Sequence, residues 1–154
     1  MIEFRKATVD DVNELARIRS IFLMEMDNID CEAQRQKMEL ANHSYFEKAL
    51  LDDSFVAWLA TDKGEIIGTS GLSFSLSPPC NDCPDGRIAY IMNIFTFPDY
   101  RGQGLAKELF RRIAEEAKSR GYKKITLFAT SAGKPLYEKY GFTDVIGDMV
   151  YYVE

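Results

Sequence analysis

The sequence predicts a mixed α/β domain, a sheet with about four helices packed against it. Three observations carry that expectation. Arg87–Phe97 is rich in β-branched and aromatic residues and reads as a buried central strand. After it, Leu105, Ala106, Leu109, Phe110, Ile113, Ala114 and Ala117 recur at helical spacing, and Gly121 stands where a helix-ending glycine belongs. Before it, Phe55–Thr61 and Glu65–Phe74 read as strands joined by the hairpin turn Asp62-Lys63-Gly64.

In chain order, Thr8-Val9-Asp10-Asp11 resembles a capping box and opens a helix running to about Met26. A second helical stretch covers roughly Cys31 to Leu51. The hairpin follows, then Ser75–Gly86, whose prolines and turn formers predict an exposed loop. Beyond the central strand and its helix, Lys124–Ala129 reads as a short strand. Pro135–Tyr140 reads as a short helix, with proline near its first turn and Gly141 after its end. A final strand pair is expected around Phe142–Ile146 and Met149–Val153.

The chain of 154 residues is about one domain long, so residues 1–154 are taken as a single unit. With 46% hydrophobic and 28% charged residues it sits near the globular average, which excludes disordered, collagenous and disulfide-scaffold classes. The longest apolar run, Phe55–Ala60, is far too short for a membrane span, and the start of the chain has no signal-like segment. A cytoplasmic protein without membrane contacts is expected. A net charge of −5 argues against nucleic acid as a partner. The charge is uneven: within residues 100–124, eight basic side chains face only Glu108, Glu115 and Glu116. Such a segment suits a small polyanion or, equally, a solvated helix face.

The strand-to-helix junction Thr96-Phe97-Pro98-Asp99-Tyr100-Arg101-Gly102-Gln103-Gly104-Leu105-Ala106 is the most informative segment. Its glycines permit positive φ and close approach of a ligand, and the first amides of a helix lack internal acceptors. With the dipole positive there, a phosphate fits, and Arg101 could add a charge-assisted bond. A plain glycine turn is the alternative. The segment is neither a P-loop nor a complete dinucleotide fingerprint.

Here the chain resembles the GNAT-type N-acetyltransferase superfamily, whose signature Arg/Gln-x-x-Gly-x-Gly/Ala is matched by Arg101, Gly104 and Ala106. A second family element is matched by Leu136-Tyr137-Glu138-Lys139-Tyr140-Gly141-Phe142, and the opening Phe4–Asp11 is also similar. The resemblance implies a mostly antiparallel sheet, splayed at its central strands, and acetyl-CoA as co-substrate with no metal. It implies that the amides of Arg101, Gly102, Gln103, Gly104, Leu105 and Ala106 hold the pyrophosphate. Backbone groups of Ile94, Phe95 and Thr96 would pair with the pantetheine arm. Tyr137 matches the tyrosine that acts as general acid on the departing thiolate; without the family it could simply close the short helix. Family members often carry Asn and Ala where this chain has Thr130 and Gly133, so a contact from Thr130 to the arm is a departure to test.

Direct attack of an amine on the thioester needs a proton acceptor. The central strand has no carboxylate; Asn93 could hold water or the amine, or be a buried amide satisfied by nearby backbone. Glu25, Glu32 or a water chain are the other sources of a base. The acceptor site is expected between the first two helices and the 75–86 loop, with Phe22, Met24 and Glu25 as wall. Residues 1–62 hold thirteen acids against seven bases, which would favour a cationic amine if those charges line the site. Cys80 and Cys83 lack the partners for a zinc site, and His43 reads as a helix-surface residue. A non-catalytic acetyl-CoA sensor and a peptide N-acetyltransferase remain rival readings. A homodimer is compatible with the family, but no interface can be read from the sequence.

Overall fold

A computed structural model describes residues 1–154. Five strands form one sheet in the order β1-β2-β3-β4-β5: Ile2–Lys6, Phe55–Asp62, Glu65–Leu76, Arg87–Thr96 and Lys124–Leu127. Neighbours are antiparallel except β4 and β5, which are parallel. A parallel pair needs a long crossover, supplied by helix α3, Leu105–Ser119. The remaining helices are α1 (Val12–Met26), α2 (Glu32–Leu51) and α4 (Lys134–Tyr140).

The β2 strand is apolar nearly throughout because both its faces are covered. Its odd-numbered residues Phe55, Ala57 and Leu59 pack under Val12, Leu15 and Ala16 of α1 and Phe46 and Ala49 of α2. On the other face, Val56 joins Leu72, Ala89 and Ile91 beneath Phe110, Ile113, Ala114 and Ala117 of α3. Burying each large side chain contributes roughly 1.5–3 kcal/mol, so the α3 stripe is a main anchor of the crossover. The expected helix therefore forms, with Gly121 at φ 84° beyond its end. The hairpin turn also forms, with Lys63 and Gly64 both at positive φ.

The capping box closes a 3₁₀ turn, Val9–Asp11, that leads into α1. The Thr8 amide donates to the Asp11 carboxylate at 2.8 Å, and Arg5 grips the same group at 2.8 and 2.9 Å. That guanidinium holds the Asp11 carboxyl below its usual range against the opposing effect of burial.

Two elements differ from the sequence expectation. The β1 strand is an addition to the expected elements; Ile2 and Phe4 alternate with Glu3 and Arg5 as an edge strand requires. The final strand pair does not form: residues 141–154 contain no strand. Phe142 packs against Phe110, but Val145, Ile146, Met149, Val150, Tyr151, Tyr152 and Val153 are 71–98% exposed. The outer edge of β5 stays unpaired, so strand-like composition alone does not make a ladder here, and a hairpin left by itself is marginal in water.

Candidate active site

The β4 strand changes character at residue 92. On its β5 side, pairing stops at Ile91 opposite Leu127, so β4 runs on alone toward α3. On its β3 side, Gly71 pairs with Met92 and Thr69 with Phe95, so β4 carries one residue more than its partner. That is a β-bulge, and Asn93 sits in it at φ 60°, a conformation asparagine tolerates better than most residues. The Thr69 hydroxyl donates to the Asn93 carbonyl at 2.9 Å and fixes the distortion. The splay expected between the central strands thus has a local cause.

The bulge aims Asn93 into a cavity of about 260 Å³. The side chain is only 3% exposed, yet neither its amide nitrogen nor its oxygen has a hydrogen-bond partner. An unpaired buried polar group costs about 1–3 kcal/mol, so a group with both ends free is poised for a ligand. The reading of Asn93 as an amide satisfied by neighbouring backbone is therefore corrected. Ile94, Thr130 and Tyr137 line the same cavity, facing Arg19 and Phe22 of α1.

Tyr137 reaches the cavity from α4. Its ring lies against Gly133, where a Cβ would come within 2.9 Å of Cε2 and 3.1 Å of the hydroxyl oxygen. The glycine that departs from the family pattern is thus the space the ring occupies. Burial alone pushes the phenol above its usual value, so it stays a proton donor at neutral pH. Thr130 lies at the start of this turn; its hydroxyl oxygen accepts from the Gly133 amide at 3.2 Å, leaving its own proton available.

Beyond Thr96 the chain makes a 3₁₀ turn, Pro98–Tyr100, and enters α3 through Gly102 and Gly104 at φ 79° and 81°. Open space lies beside both glycines. From Gly102 to Lys107, six successive main-chain amides find no acceptor in the chain, a run of free donors at a helix start that suits an anion. Gln103 is exposed, Leu105 is anchored in the core and Ala106 is half-buried. Arg101 turns inward instead of toward this array. Its Nε donates to the Thr96 carbonyl and a terminal nitrogen to Glu25, each at 2.8 Å, with the guanidinium over the Phe95 ring. It fastens the loop to the strand end and to α1.

A groove of about 710 Å³ continues from Gly104 between α3 and α4, bearing Lys107, Arg111 and Lys139. The basic surplus of residues 100–124 is otherwise largely engaged: Arg112 holds Glu108, Arg120 holds Asp53 and Glu116, and Lys124 holds Asp82. Two arginines press the Glu108 carboxyl down to about 2, so it remains an anion beside the groove. Lys107 has no ion-pair partner, and Lys139, outside the basic segment noted in the sequence, joins it. Only the α3–α4 contact brings them together.

The acidic surplus of residues 1–62 does not reach the cavity. Glu25 is held by Arg101, Glu32 lies exposed beside Arg35, and no carboxylate lines the wall. Its one charged residue is Arg19. His43 lies on α2 with Nε2 2.8 Å from Asn13 Oδ1, away from the cavity. Cys80 and Cys83 exchange backbone hydrogen bonds across a tight turn. No three His, Cys, Asp or Glu side chains converge as a metal site would need, and no helix is long and apolar enough to cross a membrane.

A family profile described as the acetyltransferase (GNAT) family matches residues 17–142. A predicted acetyltransferase from Clostridium acetobutylicum, solved with acetyl-CoA, is 33% identical with a TM-score of 0.89, over 99% of this chain and 96% of that one. A GCN5-related N-acetyltransferase from Ralstonia eutropha is 25% identical with a TM-score of 0.88, over 99% of each chain. Among named relatives, glucosamine 6-phosphate N-acetyltransferase of Trypanosoma brucei brucei is 32% identical over 51% of this chain. The matched region spans 52% of that enzyme's length. A putative ribosomal protein bS18-alanine N-acetyltransferase of Bacillus subtilis is 27% identical over 82% of this chain and 80% of its own.

Proposed function

Since this chain belongs to the acetyltransferase (GNAT) family, and so to the acyl-CoA-dependent N-acetyltransferases, we propose that it moves an acetyl group from acetyl-CoA to a small primary amine. The amine attacks directly, and Tyr137 is the acid for the departing thiolate. One observation carries the reading: Asn93 and Tyr137, from different elements, meet in a cavity beside the open edge of β4.

The fit to acetyl-CoA rests on the six free amides and the open space above Gly102 and Gly104. In this reading the amides of Gly102–Lys107 receive the diphosphate, with Lys107, Arg111 and Lys139 close enough to balance further phosphate charge. The free edge of Ile94, Phe95 and Thr96 pairs with the amide-bearing arm as an added strand would. The thioester then lies by the bulge.

An alkyl amine with pKa about 10.4 is mostly protonated at pH 7, and freeing its lone pair costs about 4–5 kcal/mol. A low-dielectric wall without carboxylates disfavours the ammonium and lowers that cost. The proton leaves to water, since neither Glu25 nor Glu32 faces the cavity. The nitrogen bonds to the acetyl carbon and gives up a second proton to water, the carbon–sulfur bond breaks, and sulfur keeps the electron pair and takes the Tyr137 proton. The phenolate regains a proton from solvent. Asn93 offers a donor and an acceptor to the acetyl oxygen and the incoming amine. A cavity of about 260 Å³ suits a small amine better than a peptide.

Tyr137→Phe tests the assignment. Turnover, followed by free-thiol release, should fall about 100-fold, within the range for a lost general acid. Acetyl-CoA affinity by calorimetry should stay within about twofold. An unchanged rate removes the acid role.

A further inference from the structure

The charged residue in the cavity wall is a cation with nothing to hold. Seven arginines, at positions 5, 17, 35, 101, 111, 112 and 120, contact a carboxylate at 2.7–2.9 Å. Arg87 lies over the Tyr122 ring and donates to the Arg120 carbonyl. Arg19 makes no ion pair. Its Nε donates to Asn42 Oδ1 at 2.9 Å, while Asn42 is itself fixed by donating to the Met38 carbonyl at 2.8 Å. The two terminal nitrogens are left with no acceptor in the chain. The head group is therefore oriented from behind and free in front, in the wall that also holds the unpartnered Asn93 amide.

Burial lowers the Arg19 pKa, opposed only by the phenols of Tyr45 and Tyr90, in keeping with a cation that has no carboxylate beside it. An acceptor whose only ionic group is an ammonium would meet repulsion there. A planar fork of free N–H groups is matched by a carboxylate or phosphate.

We infer that the acceptor carries an anionic group as well as its amine, and that Arg19 binds that group while the amine faces Asn93 and Tyr137. This rests on the acetyltransferase reading and replaces the expectation of a purely cationic acceptor. Arg19 is then a specificity residue that takes no part in the chemistry.

The test uses the complex with coenzyme A and two pairs of amines: ethanolamine against O-phosphoethanolamine, and 3-aminopropanol against β-alanine. Calorimetry should show the anionic member of at least one pair binding ten times more tightly or better, and the pair that responds distinguishes phosphate from carboxylate. Arg19→Gln should erase the difference while coenzyme A affinity and melting temperature hold. Arg19→Lys should keep part of it. Equal binding within both pairs, no measurable binding of either anionic amine, or equal weakening of both members by Arg19→Gln would each overturn the inference. Failure of acetyl-CoA itself to bind would instead strike the acetyltransferase reading, so the two failures are distinct.

Discussion

The two halves of β4 are built for different ends. From Ile88 to Ile91 the strand is laddered on both sides, to β3 and to β5, and Ala89 and Ile91 are packed beneath α3. From Met92 to Thr96 it keeps only β3, carries the bulge, and holds all three buried side-chain atoms in the chain that lack a hydrogen-bond partner, on Asn93 and Thr96. One half commits its backbone to the fold, with only Tyr90 and Ile91 reaching the cavity wall; the other leaves its backbone edge and polar side chains available. The site is thus made by withdrawing partners from a strand whose first half is secure enough to bear the loss.

That contrast can be broken in several ways. The largest effect on stability is expected in the laddered half: Ile91→Ala should cost about 2–5 kcal/mol in denaturant unfolding. Ile91 also borders the cavity, so acetyl-CoA affinity of the surviving folded protein should fall by no more than about tenfold, because the amides of residues 102–107 are untouched. A comparable loss of binding would mean the halves are not separable. Beyond the open half, Gly104→Glu should weaken acetyl-CoA at least about 100-fold, or about 2.7 kcal/mol, by placing a carboxylate among the free amides. Retained affinity would put the diphosphate elsewhere.

Asn93→Gly is the sharpest probe of the open half. Glycine accepts the positive φ, so the bulge should persist and the melting temperature should hold or rise slightly. Loss of both its hydrogen bonds to the reacting groups should reduce kcat/KM for the acceptor at least about tenfold. A large drop in stability would recast Asn93 as a structural residue. The smallest effect is in pH dependence. With the Tyr137 phenol raised above its ordinary value of about 10, its proton stays in place across the neutral and mildly alkaline range. The rate should therefore rise with pH as the amine loses its proton, with no fall below about pH 10. An alkaline limb near pH 8 would point to a different acid.

What could be read from the sequence follows the same division. The α3 stripe, the hairpin turn and the glycine loop declare themselves through spacing within one segment, and the family motifs placed Tyr137. The bulge at Asn93 could not be read, because a register shift exists only relative to β3 and no glycine marks it. Arg19 was hidden among six other bases in residues 1–62, since whether an arginine is paired depends on neighbours such as Asn42, 23 residues away. The 142–153 segment shows the opposite error: a clear strand pattern that forms no ladder, although the outer edge of β5 is free.

The α4 helix has seven residues, too few to persist alone, and it hangs on ring contacts of Tyr137 and Tyr140 with Phe110 and Phe142. The phenol is therefore steered by its carbon face. A hydroxyl steered by a hydrogen bond would have its lone pairs or its hydrogen already promised; one steered through the ring can swing toward whichever sulfur or water arrives.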